Sequence, residues 1–233
     1  MELFEKFVRN YDFTDEDISY KYKHTLRVRA LCELLAKDLG LSERDIELAK
    51  YCGLYHDIAR FEQDKRFDSF RDTKAFDHGD VGSAIFENLF APNLDITAEE
   101  KNIIFKSILY HNKFAIGECT DKERIFCKIL RDADKIDIIY AVSQKLIKLG
   151  NSMCEITPKI HSDFMKHTTV SYGDAQNESD EIVLKLALIW DINFDSSYRI
   201  IRDNKYFQRI EKLINNDKYK VYFDEINNFL KEK

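Results

Sequence analysis

The sequence predicts an all-α fold on three observations. Glycine and proline are scarce, at 7 and 2 of 233 residues, whereas a β-sandwich or barrel needs turn residues about every ten positions. Apolar residues recur at helical spacing, and no segment alternates at the strand period for more than a few residues. Acidic residues follow Ser or Thr by three positions at Ser42/Asp45, Thr97/Glu100 and Thr120/Glu123, the signature of a capped helix start.

These signals order the chain. A first long amphipathic helix spans about 18–39 and stops at Gly40. Ser42 opens the next, which runs to about Arg60. Residues 62–77 are polar and aromatic and read as a loop with Phe61, Phe67, Phe70 and Phe76 as packing anchors. A short helix covers Gly79–Phe90 before Pro92, and Thr97 opens one that reaches about Asn112. Thr120 opens a helix of roughly 28 residues ending near Leu149-Gly150. Residues 151–180 are the least regular, and three helical patterns follow at about 180–192, 196–215 and 217–231.

Composition removes several function classes. Lys plus Arg is 36 against 42 for Asp plus Glu, a net charge of −6, so there is no overall electrostatic reason to bind a nucleic-acid polymer or an anionic membrane. The charged stretch Met1–Lys6 lacks the apolar core of a signal peptide, and Ile182–Trp190, interrupted by Lys185, is too short to span a bilayer. Five scattered cysteines, Cys32, Cys52, Cys119, Cys127 and Cys154, read as reduced thiols, so a cytoplasmic location is expected.

The informative residues are polar ones on apolar stripes. His24 shares its stripe with Val28, Leu31 and Leu35; His56 with Ile46, Ala49 and Cys52; His111 with Ile104, Ser107 and Ile108. Asp134 lies between Cys127, Leu130, Ile138 and Ala141, Asp57 follows His56 directly, and His78 opens the short helix. A buried carboxylate costs several kcal/mol unless paired or metal-bound. Apart from Arg60 and Arg131, no basic residue is expected on these stripes. A shared metal site would neutralise the set together, because ligands on different helices of a bundle converge on one interior point.

The order His24, Tyr55-His56-Asp57-Ile58 and Arg131-Asp132-Ala133-Asp134-Lys135 resembles the HD-domain metal-dependent phosphohydrolase superfamily, whose pattern is His…His-Asp…Asp. The resemblance covers about residues 20–140. It implies an all-α bundle with His24, His56, Asp57 and Asp134 as metal ligands. Asp134, in the Ala-Asp-Lys triplet, is preferred to Asp132, which is expected at the surface or behind the ligands. His78-Gly79 and Tyr110-His111-Asn112 sit where the subset with a two-metal centre carries extra histidines, and bacterial diadenosine-polyphosphate hydrolases are similar in this stretch.

What the resemblance implies is hydrolysis of a phosphomonoester, phosphodiester or nucleotide by water activated at a divalent metal. Two ions are expected, from among Mn, Fe, Ni, Co, Mg and Zn. Asp57 is the natural bridge, and Arg60 and Lys135 are the expected catalytic cations. Arg60, Lys113 and Lys135 are candidate phosphate contacts; Lys65, Arg66, Arg71 and Lys74 are weaker ones. A metal-binding regulatory module and a di-iron oxygenase are the alternatives. The partner is a small phosphorylated or nucleotide substrate, and a homodimer is compatible with the sequence. Residues 1–150 are assigned to the HD domain with its metal site. Residues 151–233 are assigned to a C-terminal helical extension packed on the same domain, to which the sequence assigns no chemistry.

Overall fold

A computed structural model describes residues 1–150 and 154–233. The described residues contain helices and no strand, as the composition predicts. They form two compact units, Met1–Asp134 and Lys135–Lys233. That division falls inside one helix, where no composition shift marks it.

In the first unit, α1 (Glu2–Val8) buries Phe4 and Val8, an element the sequence reading did not anticipate. Helix α2 (Glu16–Asp38) is capped by Asp15 and ends at Leu39. Gly40 takes φ +68, and the bonds Gly40 N to Lys37 O and Leu41 N to Ala36 O close a Schellman turn. Ser42 caps α3 (Glu43–Tyr55). The expected single helix to Arg60 is in fact two, because the chain breaks at His56-Asp57 and resumes as α4 (Ile58–Phe67).

The loop expected from residue 62 begins only at Asp68. Phe61, Gln63 and Asp64 bury one face of α4, and Asp68, at φ 48, ends it. Of the four expected anchors, Phe61 and Phe76 are buried while Phe67 is exposed. Helix α5 (His78–Ile85) is capped by Asp77 and continues through a π-turn, Phe86–Phe90, to Pro92. The capping box of Thr97 and Glu100 opens α6 (Ala98–Tyr110).

Helix α2 packs on α3, and α4, α5 and α6 pack in succession, with α6 returning to α3. Helix α3 comes against the backbone of α2 at Gly53. A Cβ there would lie 2.7 Å from the Cα of Arg29 and 3.0 Å from Cys32 Sγ, so only glycine lets α3 sit this near α2. That proximity brings His56, three residues on, up to His24.

Thr120 and Glu123 exchange hydrogen bonds at the start of α7 (Asp121–Ser143). Helix α7 ends six residues earlier than the sequence suggests. Lys145 adopts φ 62, and its N–H and that of Leu146 return to Val142 O and Ala141 O. No glycine signals this stop.

The second unit contains α8 (Pro158–Met165), α9 (Glu178–Leu186), α10 (Asp195–Asp203), α11 (Tyr206–Ile214) and α12 (Lys220–Glu232). Residues 151–153 of the irregular region lie outside the described residues. Phe164 meets Trp190 and Tyr222 edge-on, with ring centroids 5.2 and 4.8 Å apart. The buried Asp180 carboxylate accepts from Thr157 N and Oγ1 and from Gln176 N, which ties 157 and 176 to the start of α9. The helix expected over 196–215 is split at Asn204-Lys205. Asn204 Nδ2 bonds to Ile200 O, and Lys205 takes φ 54. Among the described residues no helix is long and apolar enough to cross a membrane.

Gly53→Ala should cost about 1–3 kcal/mol, the usual range for overpacking a tight contact. Urea denaturation of the two proteins measures it, and equal stability would show that α2 and α3 can part without loss.

Candidate metal centre

Six consecutive elements, α2 to α7, carry the six expected ligands, one each. His24 projects from α2, one turn after Lys21. His56 caps the end of α3, and its Nδ1 lies 2.8 Å from Gly53 O. Asp57 starts α4 at φ −103, ψ 18, close to the sparsely populated bridge region where active-site residues recur. The helix break is therefore what turns the Asp57 carboxyl inward beside His56. His78 opens α5, His111 closes α6 and Asp134 lies within α7.

The donor atoms form two groups that share one carboxylate. His24 Nε2 and His56 Nε2 are 3.2 Å apart. Each lies 3.4 Å from Asp57 Oδ2, and Asp134 Oδ1 is 3.2 and 3.8 Å from them. On the other side, His78 Nε2 and His111 Nε2 are 2.9 Å apart, and they lie 3.6 and 3.7 Å from Asp57 Oδ1. Ligand bonds of about 2.0–2.2 Å set neighbouring ligands about 3.0–3.5 Å apart around a tetrahedral or octahedral ion. The observed spacings, 2.9–3.8 Å, lie close to that range, and each group has donors able to hold one ion.

The tautomers support the same reading. A carbonyl oxygen only accepts, so the proton of His56 is on Nδ1, towards Gly53 O, and that of His111 is on Nδ1, 2.6 Å from Ile108 O. His78 Nδ1 meets the Asp72 carboxylate at 2.6 Å. Each Nε2 is left with a lone pair aimed into the cluster. Two buried lone pairs facing each other at 2.9 Å repel, and a cation between them turns that repulsion into ligation. Histidine ligands are regularly held by such outer hydrogen bonds.

The charge states agree. Burial pushes the His78 ring down to about 3, aided by nearby Arg60, and burial also lowers His111, so both stay neutral. Burial would raise Asp57, but the Lys21 ammonium beside it outweighs that and holds the carboxyl well below its usual range. Asp134 is likewise held low, chiefly because the hydrogen bond from His24 overcomes the effect of burial. Neutral imidazoles with ionised carboxylates are the forms that bind metal.

The expected cations fare differently. Arg60 stays at the cluster, with Nε 3.6 Å from Asp57 Oδ1. Its Nη1 donates to Gln63 Oε1, Phe70 O and Asp72 Oδ1, which holds the 68–77 loop against α4. Lys113 sits on Asp77 and Asp80 at 2.6 and 2.8 Å. Lys135, the first residue of the second unit, places its ammonium 2.8 Å from Asp191 of the same unit. Lys65, Arg66, Arg71 and Lys74 are exposed. Arg131 donates to the carbonyls of Tyr110, His111 and Lys113, fixing the end of α6. Asp132 is fully buried, so a surface position is excluded.

Two contributors escaped sequence reasoning. Lys21 Nζ lies 2.6 Å from Asp57 Oδ2; it precedes His24 by three residues, so helical spacing alone places it on that stripe and corrects the count of basic residues there. Asp72, in the loop, carries no periodic signal. Its carboxylate receives His78 Nδ1, Asn112 Nδ2 and Arg60 Nη1.

The profile of the HD domain matches residues 22–139, just over half of the chain and all six donors. The chain belongs to the HD-domain family. Its members are mostly metal-dependent phosphohydrolases, and the paired donor groups of this HD domain are compatible with that chemistry. No curated protein and no solved structure matches it significantly.

Because Asp72 fixes the proton and the orientation of His78, Asp72→Ala should weaken divalent-ion binding about 10–100-fold, the usual effect of losing such a partner. Calorimetric titration with Mn²⁺ reads this, and unchanged affinity would show that His78 needs no such support.

Proposed function

We propose that this HD domain is a phosphohydrolase that uses two divalent ions, one in each donor group, to cleave a small phosphomonoester, phosphodiester or nucleotide. The observation that carries the reading is the division of Asp57 between the groups, Oδ2 facing His24, His56 and Asp134 and Oδ1 facing His78 and His111. A carboxylate with one oxygen on each of two donor sets is the bridge that a two-ion centre requires. Nitrogen and oxygen donors without thiolate suit Mn, Fe, Co, Ni, Mg or Zn in a catalytic role.

When bound, the ions supply a water of lowered pKa and stabilise charge on the entering and leaving oxygens of a phosphoryl displacement. The chain's own residues do the rest. Asp57 and Asp134 offset the positive charge, and the helix ends that carry His56, His78 and His111 fix the donor positions. Arg60 Nε is buried and has no hydrogen-bond partner. It lies beside Asp57, so it is the cation best placed to receive a phosphoryl oxygen. Lys113 is committed to Asp77 and Asp80 and is the weaker candidate. The complete donor set argues against a module that has lost turnover. Release of inorganic phosphate, set against O₂ consumption, separates hydrolysis from oxygen chemistry.

Chelator-stripped protein should lose phosphate release from a panel of phosphomonoesters and nucleotides and regain it on adding Mn²⁺; full activity after stripping would remove the proposal. Asp57→Ala should lose metal and turnover together.

His78→Ala and His111→Ala should each lower bound metal from about two ions towards one and cut kcat by several decades, with KM less affected, because the displacement would lose one of its two charge stabilisers. Elemental analysis of folded protein decides this, and unchanged metal content would leave a one-ion centre.

A further inference from the structure

We propose that Lys21 is the resident cation of the His24/His56/Asp134 donor group, and that by occupying Asp57 Oδ2 it sets how tightly that group takes up a divalent ion. The inference rests on the metal-centre reading above and concerns a residue outside the ligand pattern.

Geometry singles Lys21 out. Its Nζ is 2.6 Å from Oδ2, whereas the two imidazoles on that oxygen stand at 3.4 Å. The opposite oxygen has no equivalent, since Arg60 Nε stays 3.6 Å from Oδ1 without a hydrogen bond. The two halves of the centre are thus unequal, one with a cation in contact with the shared carboxylate and one with two facing imidazoles.

Charge explains why a lysine sits there. Asp57 is 2 % exposed and lies near a second carboxylate, Asp134. Without a counter-ion, two such charges are costly to bury. An ammonium is a compact charge on a flexible stem, able to close on Oδ2 when no ion is there. A divalent ion at Oδ2 meets that ammonium at short range, and like charges repel most strongly where water is excluded. Lys21 has an alternative place, because its side chain is 13 % exposed and its Nζ stands 5.1 Å from the centre of the Phe70 ring, a cation–π perch at the rim of the site. Metal uptake therefore carries the cost of displacing the lysine.

The test uses the full chain carrying His78→Ala, so that only the first donor group is titrated, with Mn²⁺ as the probe after chelator treatment. Adding Lys21→Met should tighten Mn²⁺ binding about tenfold and lower the melting temperature of the metal-free protein. Lys21→Gln keeps a hydrogen-bond donor but not the charge, and should behave like Lys21→Met. Lys21→Arg should leave binding weak. A purely structural lysine would lower both stability and affinity, so unchanged or weakened Mn²⁺ binding in the two neutral variants overturns the proposal. A parent protein that takes up no Mn²⁺ would instead overturn the metal-centre reading, and this inference with it.

Discussion

A carboxylate only 2 % exposed to solvent would cost several kcal/mol if left alone, and Asp57 is placed so that it is not. One oxygen faces Lys21, His24 and His56; the other faces Arg60, His78 and His111. Three imidazoles around it, His56, His78 and His111, have their protons drawn outward to Gly53 O, Asp72 and Ile108 O. This leaves lone pairs turned in on the same interior point as the carboxylates. An arrangement of acceptors around acceptors is stable only with positive charge at its centre, and the geometry of the first unit serves to hold it in that state.

The helices meet this demand by ending at the right places. His56, His78 and His111 all lie at helix termini and Asp57 in the break between two helices, positions where a side chain can turn inward without crowding a neighbouring turn. Gly53 lets α3 approach α2 closely enough for His56 to reach His24. Arg131, drawn from α7 to three carbonyls at the end of α6, holds His111 in register. Arg60 and Asp72 brace the 68–77 loop and, through it, His78. Packing and chemistry are thus carried by the same few contacts.

The parts legible in the sequence were those with a short-range signal. Capping residues located the starts of α3, α6 and α7, and apolar stripes turned His24, His56, His111 and Asp134 inward. The breaks were hidden because left-handed residues other than glycine end the helices at Asp68, Lys145 and Lys205, and no residue type announces them. The interruption at His56-Asp57 has no glycine or proline either; it follows from what the two side chains must reach. Lys21 was readable from its spacing to His24 but looked like one more surface lysine, and Asp72 sits in a loop whose path no periodicity encodes. The placement of Lys135 on Asp191, 56 positions along the chain, is likewise a tertiary fact.

The claim that Asp57 bridges two ions is most directly tested by anomalous diffraction from crystals of the Mn²⁺-loaded protein. Two peaks are expected about 3.5–4 Å apart, the usual spacing of two-metal sites, one on each side of Asp57, with His24, His56 and Asp134 around the first and His78 and His111 around the second. A single peak, or a pair not bridged by Asp57, would contradict it.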